Sequence, residues 1–181
     1  MDDIEAWKAY SHNPEYRKWF NKLEVGTIFG HYCGPIHAEV PFSGKYIVRP
    51  IYNLWGMCAG AQVCNIKKGE PHDKFPPGSF WQLYIDSPEV HTADLVYKDS
   101  RWTIDRYSIG HRSSVQHFTT WTEIDPLSVD LYHQIPELSK LDVLKDIPII
   151  NIEFIKNRII EVHLRHNPNP RLNPGESMRV L

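Results

Sequence analysis

Apolar positions along the chain follow two different periods. Between residues 14 and 24, Tyr16, Trp19, Phe20 and Leu23 recur at helical spacing behind a capping Asn13 and a Pro14 suited to the first helical position. A short amphipathic helix is predicted there, and the glycines and prolines of 26–44 predict a loop. Beyond that the pattern changes to short apolar runs and alternation, the mark of strands. Residues 45–52 read as a strand that Pro50 ends or confines to an edge. A small-residue loop leads to a second strand over 61–67, which closes a hairpin. Residues 68–78 are polar and carry three prolines. The run 79–85 is strongly β-forming, with Trp81, Leu83 and Ile85 predicted in the core and Gln82 and Tyr84 facing the other way. A turn at 86–89 returns the chain along 90–97, and 98–100 turn it again into 101–107. Asp125 and Pro126 repeat the cap-and-proline device and predict a helix with Leu127 and Leu131 on one face, broken by Pro136. Leu138, Leu141 and Leu144 continue the apolar set to Ile147. Two apolar runs, 149–155 and 158–165, flank Lys156 and Asn157 and predict a last hairpin. The Pro- and Asn-rich tail from Asn167 is predicted to be irregular. Helix, two hairpins, helix and hairpin make an α+β fold with mainly antiparallel sheet.

The length of 181 residues suits one domain, or one plus a short appendage, with ample length for a real core. A net charge of −2 offers no broad positive surface for a long nucleic acid. No apolar run reaches membrane-spanning length and the N-terminus is acidic, so no membrane association and a cytoplasmic location are expected. Cys33, Cys58 and Cys64 lack paired spacing and are expected to be reduced thiols. His91, His111, His117 and His133 are scattered without ligand spacing and are expected to be structural. Six Trp and nine Tyr predict aromatic-lined surfaces or pockets.

The unusual chemistry is in the last hairpin. Glu161, His163 and Arg165 are spaced by two and project from one face, which Glu153 on the partner strand is placed to share. Burying such a row without partners is costly. The plain alternative is the solvated face of an amphipathic strand.

The series from the first hairpin to Glu161-Val-His-Leu-Arg165 resembles the ATP-grasp family, whose members use a nucleotide to activate a carboxylate as an acyl phosphate. Glu161-x-His163-x-Arg165 is similar to that family's Glu-x-Asn-x-Arg, with His163 in place of Asn and Glu153 where Asp is frequent. The resemblance implies an ATP-grasp-like domain over 45–167, preceded by a helix and loop-rich extension over 1–44 and followed by an irregular tail over 168–181. It implies ATP with magnesium, or manganese, as cofactors and Glu153, Glu161 and His163 as metal ligands. Arg49 would hold phosphate, and Arg165 would clamp an acyl phosphate or a carboxylate. Asn53, Gly56 and Gly60 would belong to a flexible phosphate loop. Gln82 and Tyr84 would lie on the adenine hinge, with a reversing strand around Asp94.

Three readings follow. The first is an ATP-dependent carboxylate–amine or carboxylate–thiol ligase acting on a small carboxylate, with a protein partner or second copy completing the site. The second is an inactive nucleotide-binding or protein-binding module that keeps the fold. The third is a module whose Trp and Tyr residues stack bases or sugars.

Overall fold

The computed structural model describes residues 1–52, 60–70, 74–115 and 117–180. Two antiparallel sheets carry the chain. The smaller is built from β1 (Cys33–Pro35), β2 (Gly44–Pro50), β3 (Gln62–Ile66) and β4 (Ser79–Leu83), in the order β1-β4-β2-β3. The larger is built from β5 (Glu89–Lys98), β6 (Arg101–Ser114), β7 (His117–Ile124), β8 (Ile150–Ile155), β9 (Arg158–His163) and β10 (Ser177–Arg179), in the order β10-β7-β6-β5-β8-β9.

The hairpins form where turn chemistry predicts them. Asp99 and Ser100 both take positive φ between β5 and β6, as a two-residue turn matching strand twist requires. Lys156, with φ 58°, does the same at the first turn position between β8 and β9. β2 and β3 pair with Val48 opposite Gln62. The run 79–85 and its return do not pair, however. β4 joins β2 and β1, whereas β5 joins β6 and β8, so the five residues between them carry the chain from one sheet to the other. Pro88 lies in that connection and has no N–H to donate to a ladder.

The helices are more broken than their apolar spacing predicts. A capping box at Asp2 and Glu5 starts α1 (Asp3–Tyr10), for which no helix was predicted. The predicted helix over 14–24 is instead α2 (Pro14–Arg17), a 3-10 turn over Lys18–Phe20 and α3 (Lys22–Ile28). Asn21 takes extended angles, φ −94° and ψ 106°, and its side chain caps α3 by accepting from the Leu23 and Glu24 amides. After Asp125 only a single 3-10 turn forms over Pro126–Ser128, and α4 (Leu131–Gln134) starts anew behind Asp130. Leu127 is consequently 95% exposed while Leu131 is buried. The tail is not wholly irregular, since β10 adds a strand to β7.

The larger core joins one face of the larger sheet to Trp19, Phe20, Val25 and Phe29 of the N-terminal helices and to Leu138, Leu141 and Leu144. Tyr46, Val48, Ile66, Phe75 and Trp81 form a second core on the smaller sheet. Along β2 and β4 the alternate residues Ile47, Arg49 and Gln82 turn instead toward β9 and a cleft between the sheets. Among the described residues no helix is long and apolar enough to cross a membrane.

Candidate functional site

A β-bulge between Glu153 and Phe154 sets the register of the last hairpin. Glu153 lies directly opposite Glu161, and Asn151 opposite His163. The rows continue onto β5, where Thr92 pairs with Glu153 and Asp94 with Asn151. Glu153, Glu161 and His163 therefore share one face, with ligand atoms within 4.8 Å of one another.

Each of these groups has partners from elsewhere. Glu161 Oε1 accepts from Lys22 Nζ at 2.8 Å and from Arg49 Nη1 at 2.9 Å. Its Oε2 lies 3.6 Å from His163 Nε2, and Glu153 Oε1 lies 3.7 Å from the same nitrogen. His163 Nδ1 is 3.2 Å from Asp3 Oδ1. Arg165 donates through Nε and Nη2 to the two oxygens of Asp3, at 2.7 and 2.9 Å. A chain of charge thus runs from Arg165 through Asp3 and His163 to the two glutamates.

Burial by itself pushes the Glu161 carboxyl up. The positive charges of Lys22, Arg49 and His163 more than offset this and hold it well below the usual carboxylate range. Burial likewise disfavours the His163 imidazolium, but Asp3 and Glu153 raise it to about 9. Asp3 is kept ionised against its own desolvation by hydrogen bonds from His163 and Arg165.

The predicted site residues divide accordingly. Arg49 reaches the cleft buried, but Nη1 goes to Glu161 and Nη2 to Gln82 Oε1 at 2.9 Å and the Ile160 carbonyl at 3.1 Å. Among the described residues its Nε has no hydrogen-bond partner. Gln82 thus orients Arg49, and Tyr84 lines the cleft with the Lys45 ammonium 4.5 Å above its ring. Ile85, predicted in the core, lines the cleft as well. Arg165 grips a carboxylate, as a planar fork does, and that carboxylate belongs to Asp3. Gly60 precedes β3 with φ 78°, a conformation glycine adopts without strain. Asn53 and Gly56, like Cys58, lie outside the described residues. Asp94 is buried under Asn151 Nδ2 and the Asn167 amide and anchors the tail. His91 stacks on Phe154 and bonds the Tyr107 hydroxyl, a packing role.

Three residues of the site carry no local sequence signal for it. Asp3 and Lys22 come from the N-terminal helices, far from the hairpin in sequence. Arg112, in the polar second half of β6, reaches the cleft with Nε on the Ser87 carbonyl. Its Nη2 is buried without a hydrogen-bond partner among the described residues.

The cleft is walled by Ile47, Leu83, Val90, Phe118, Ile155 and Ile160. Arg49, Arg112, Glu153 and Glu161 lie along it. Apolar walls with a few convergent polar groups are the general make-up of a small-molecule site. The donor set fits a divalent cation in type and spacing. His163 Nε2 is buried without a hydrogen-bond partner among the described residues and faces two carboxylates, while Asp3 holds the other ring nitrogen in the manner of a carboxylate behind a ligating histidine.

No family model and no curated protein matches the sequence. Solved structures do match in fold. An L-amino acid ligase from Bacillus licheniformis superposes with a TM-score of 0.58 at 14% identity over 83% of this chain and 41% of that one. N5-carboxyaminoimidazole synthetase from Staphylococcus aureus, complexed with ADP, gives 0.60 at 10% identity over 84% and 46%. A biotin carboxylase-β-γ-ATP complex from Campylobacter jejuni gives 0.57 at 9% identity over 85% and 42%. The chain spans less than half the length of each of these proteins. Antiparallel sheets with few helices, shared with these structures, make the fold ATP-grasp-like.

Proposed function

We propose that the cleft binds ATP and that the chain is an ATP-dependent carboxylate–amine or carboxylate–thiol ligase component acting through an acyl phosphate. The observation that carries this reading is the position of Arg112. Its side chain lines the same apolar cleft as Glu153 and Glu161, and its buried Nη2 has no hydrogen-bond partner among the described residues. The ADP and β-γ-ATP of the structurally similar enzymes support the same ligand here.

In this reading Tyr84 and the apolar walls hold the base, while Arg112 and the Nε of Arg49 meet phosphate oxygens. Glu153, Glu161 and His163 would hold a divalent ion, which when bound neutralises phosphate charge. The imidazole nitrogen favours manganese more than magnesium. Arg165 acts as a positioning residue, since it holds Asp3, and Asp3 aims His163. The substrate carboxylate attacks the terminal phosphorus as its bond to the bridging oxygen breaks and ADP leaves; an amine or thiol then attacks the acyl carbon, giving up a proton as phosphate departs. The acid-binding part would come from a partner or a second copy, and a cytoplasmic location goes with this reading.

A second reading, nucleotide binding without turnover, is favoured by Lys22 and Arg49 both using Glu161 Oε1. Titration with ATP separates these readings from base or sugar stacking. Arg112→Ala is expected to weaken ATP binding at least tenfold, about 1.4 kcal/mol, with the melting temperature little changed. Equal affinity in both proteins would remove the cleft assignment. Binding without ADP or acyl hydroxamate formation, across pools of small acids with hydroxylamine, selects the second reading.

A further inference from the structure

The two oxygens of Glu161 are unequally committed. Oε1 is shared by Lys22, at the start of α3, and Arg49, on β2, while Oε2 faces His163. Histidine aside, three carboxylates, Asp3, Glu153 and Glu161, stand against three permanent cations, Lys22, Arg49 and Arg165. These six charges cancel before any ion arrives, and the His163 ring beside them adds no negative charge. A divalent ion at the glutamates would add two positive charges where burial leaves little water to screen them.

The three cations are not equally fixed. Arg49 is also tied to Gln82 and the Ile160 carbonyl, and Arg165 is forked onto Asp3. Among the described residues Lys22 Nζ donates to Glu161 alone. Lys22 also borders a small space lined by Asp3, Trp19, Phe20, Val25, Glu161 and His163. Trp19 Nε1 and His163 Nε2 are both without a hydrogen-bond partner there among the described residues. An unbranched ammonium side chain needs only rotations within its own stem to exchange the Glu161 carboxylate for the mouth of this space, which Asp3 also lines.

We propose that Lys22 is a resident cation on Glu161, neutralising that carboxylate in place of a divalent ion and thereby controlling metal entry. Metal alone is excluded. It enters together with the triphosphate, whose negative charge draws both it and the displaced ammonium. The second step rests on the nucleotide reading above, whereas the competition between Lys22 and metal does not.

The test uses the full chain and MnCl2 without nucleotide, with bound manganese followed by electron paramagnetic resonance. The wild-type protein is expected to bind with a Kd of about 1 mM or weaker. Lys22→Met, which keeps the length and removes the charge, is expected to bind at least tenfold more tightly, and Lys22→Arg to behave as wild type. Equal binding in wild type and Lys22→Met, or no binding in either, overturns the proposal. Should Lys22→Met fail to unfold cooperatively, Lys22→Gln takes its place in the same titration, with tighter manganese binding than wild type supporting the proposal and equal or no binding overturning it. ATP binding in metal-free buffer, measured in parallel, reports on the cleft itself, so failure of the nucleotide reading registers there and not in the manganese titration.

Discussion

Asp3 shows how much one residue can organise when its position is right. It is the first residue of α1, where the exposed amides favour an acid, and its carboxylate takes both the fork of Arg165 and the Nδ1 of His163. The resulting pKa shifts give stability a defined pH dependence. His163 is raised from its ordinary 6.5 to about 9, so the fold favours its protonated form. That contribution is complete below about pH 6.5 and is lost as pH rises through about 9. Glu161 and Asp3 are shifted down, so their contribution is complete above about pH 4.5 and is lost as pH falls through their lowered values. The contribution of these three groups should thus be level between about pH 4.5 and 6.5, where the lowered pKa values of buried His31 and His91 make stability fall as pH falls, and Asp3→Asn should flatten the alkaline limb of denaturant unfolding of the metal-free protein. A stability unchanged between pH 6.5 and 9 would mean that the imidazole is not held charged.

At the scale of elements, the close contacts are between strands. β1 pairs with β4 so that Gly34 lies opposite Trp81. A Cβ on Gly34 would come within 2.6 Å of the indole ring. The ring cannot retreat easily, because Trp81 is buried and its Nε1 donates to the Ala38 carbonyl at 2.8 Å. Gly34→Ala is expected to cost about 1–3 kcal/mol in chemical unfolding. An unchanged midpoint would show that β1 can peel from β4 at no cost. The same scale explains where sequence patterns misread the chain. Tyr16, Trp19, Phe20 and Leu23 keep helical spacing across Asn21, although the backbone there is extended, because a 3-10 turn and a fresh cap continue the same buried face. Apolar periodicity reports the buried face and is blind to a break that preserves it.

At the scale of the molecule, the N-terminal helices are part of the larger core. Trp19, Phe20, Val25 and Phe29 pack there, and the ring of His31 bonds the Ile159 carbonyl on β9 at 2.7 Å. Removing residues 1–31 would open the core and leave Glu161 and Arg165 without Lys22 and Asp3. The truncated chain is expected to lose its cooperative unfolding transition in circular dichroism, since each buried aromatic of this kind contributes about 3–5 kcal/mol. A truncated chain that still melted cooperatively would show that the sheets carry their own core.

The sequence by itself determined the features that depend on near neighbours. Two-residue turns specify the β5–β6 and β8–β9 hairpins, and a period of two puts Glu161 and His163 on one face with Glu153 across from them. Only the tertiary structure decided what depends on distant partners. Edge chemistry does not say which strand a strand will meet, so β4 and β5 part company at a turn that reads locally as a hairpin. Nor does any local pattern announce that Lys22, 139 residues from Glu161, supplies its counter-charge, or that Asp3 occupies the fork of Arg165. Charges pair through space, by proximity and desolvation, and the sequence records only the residues that will be available to do so.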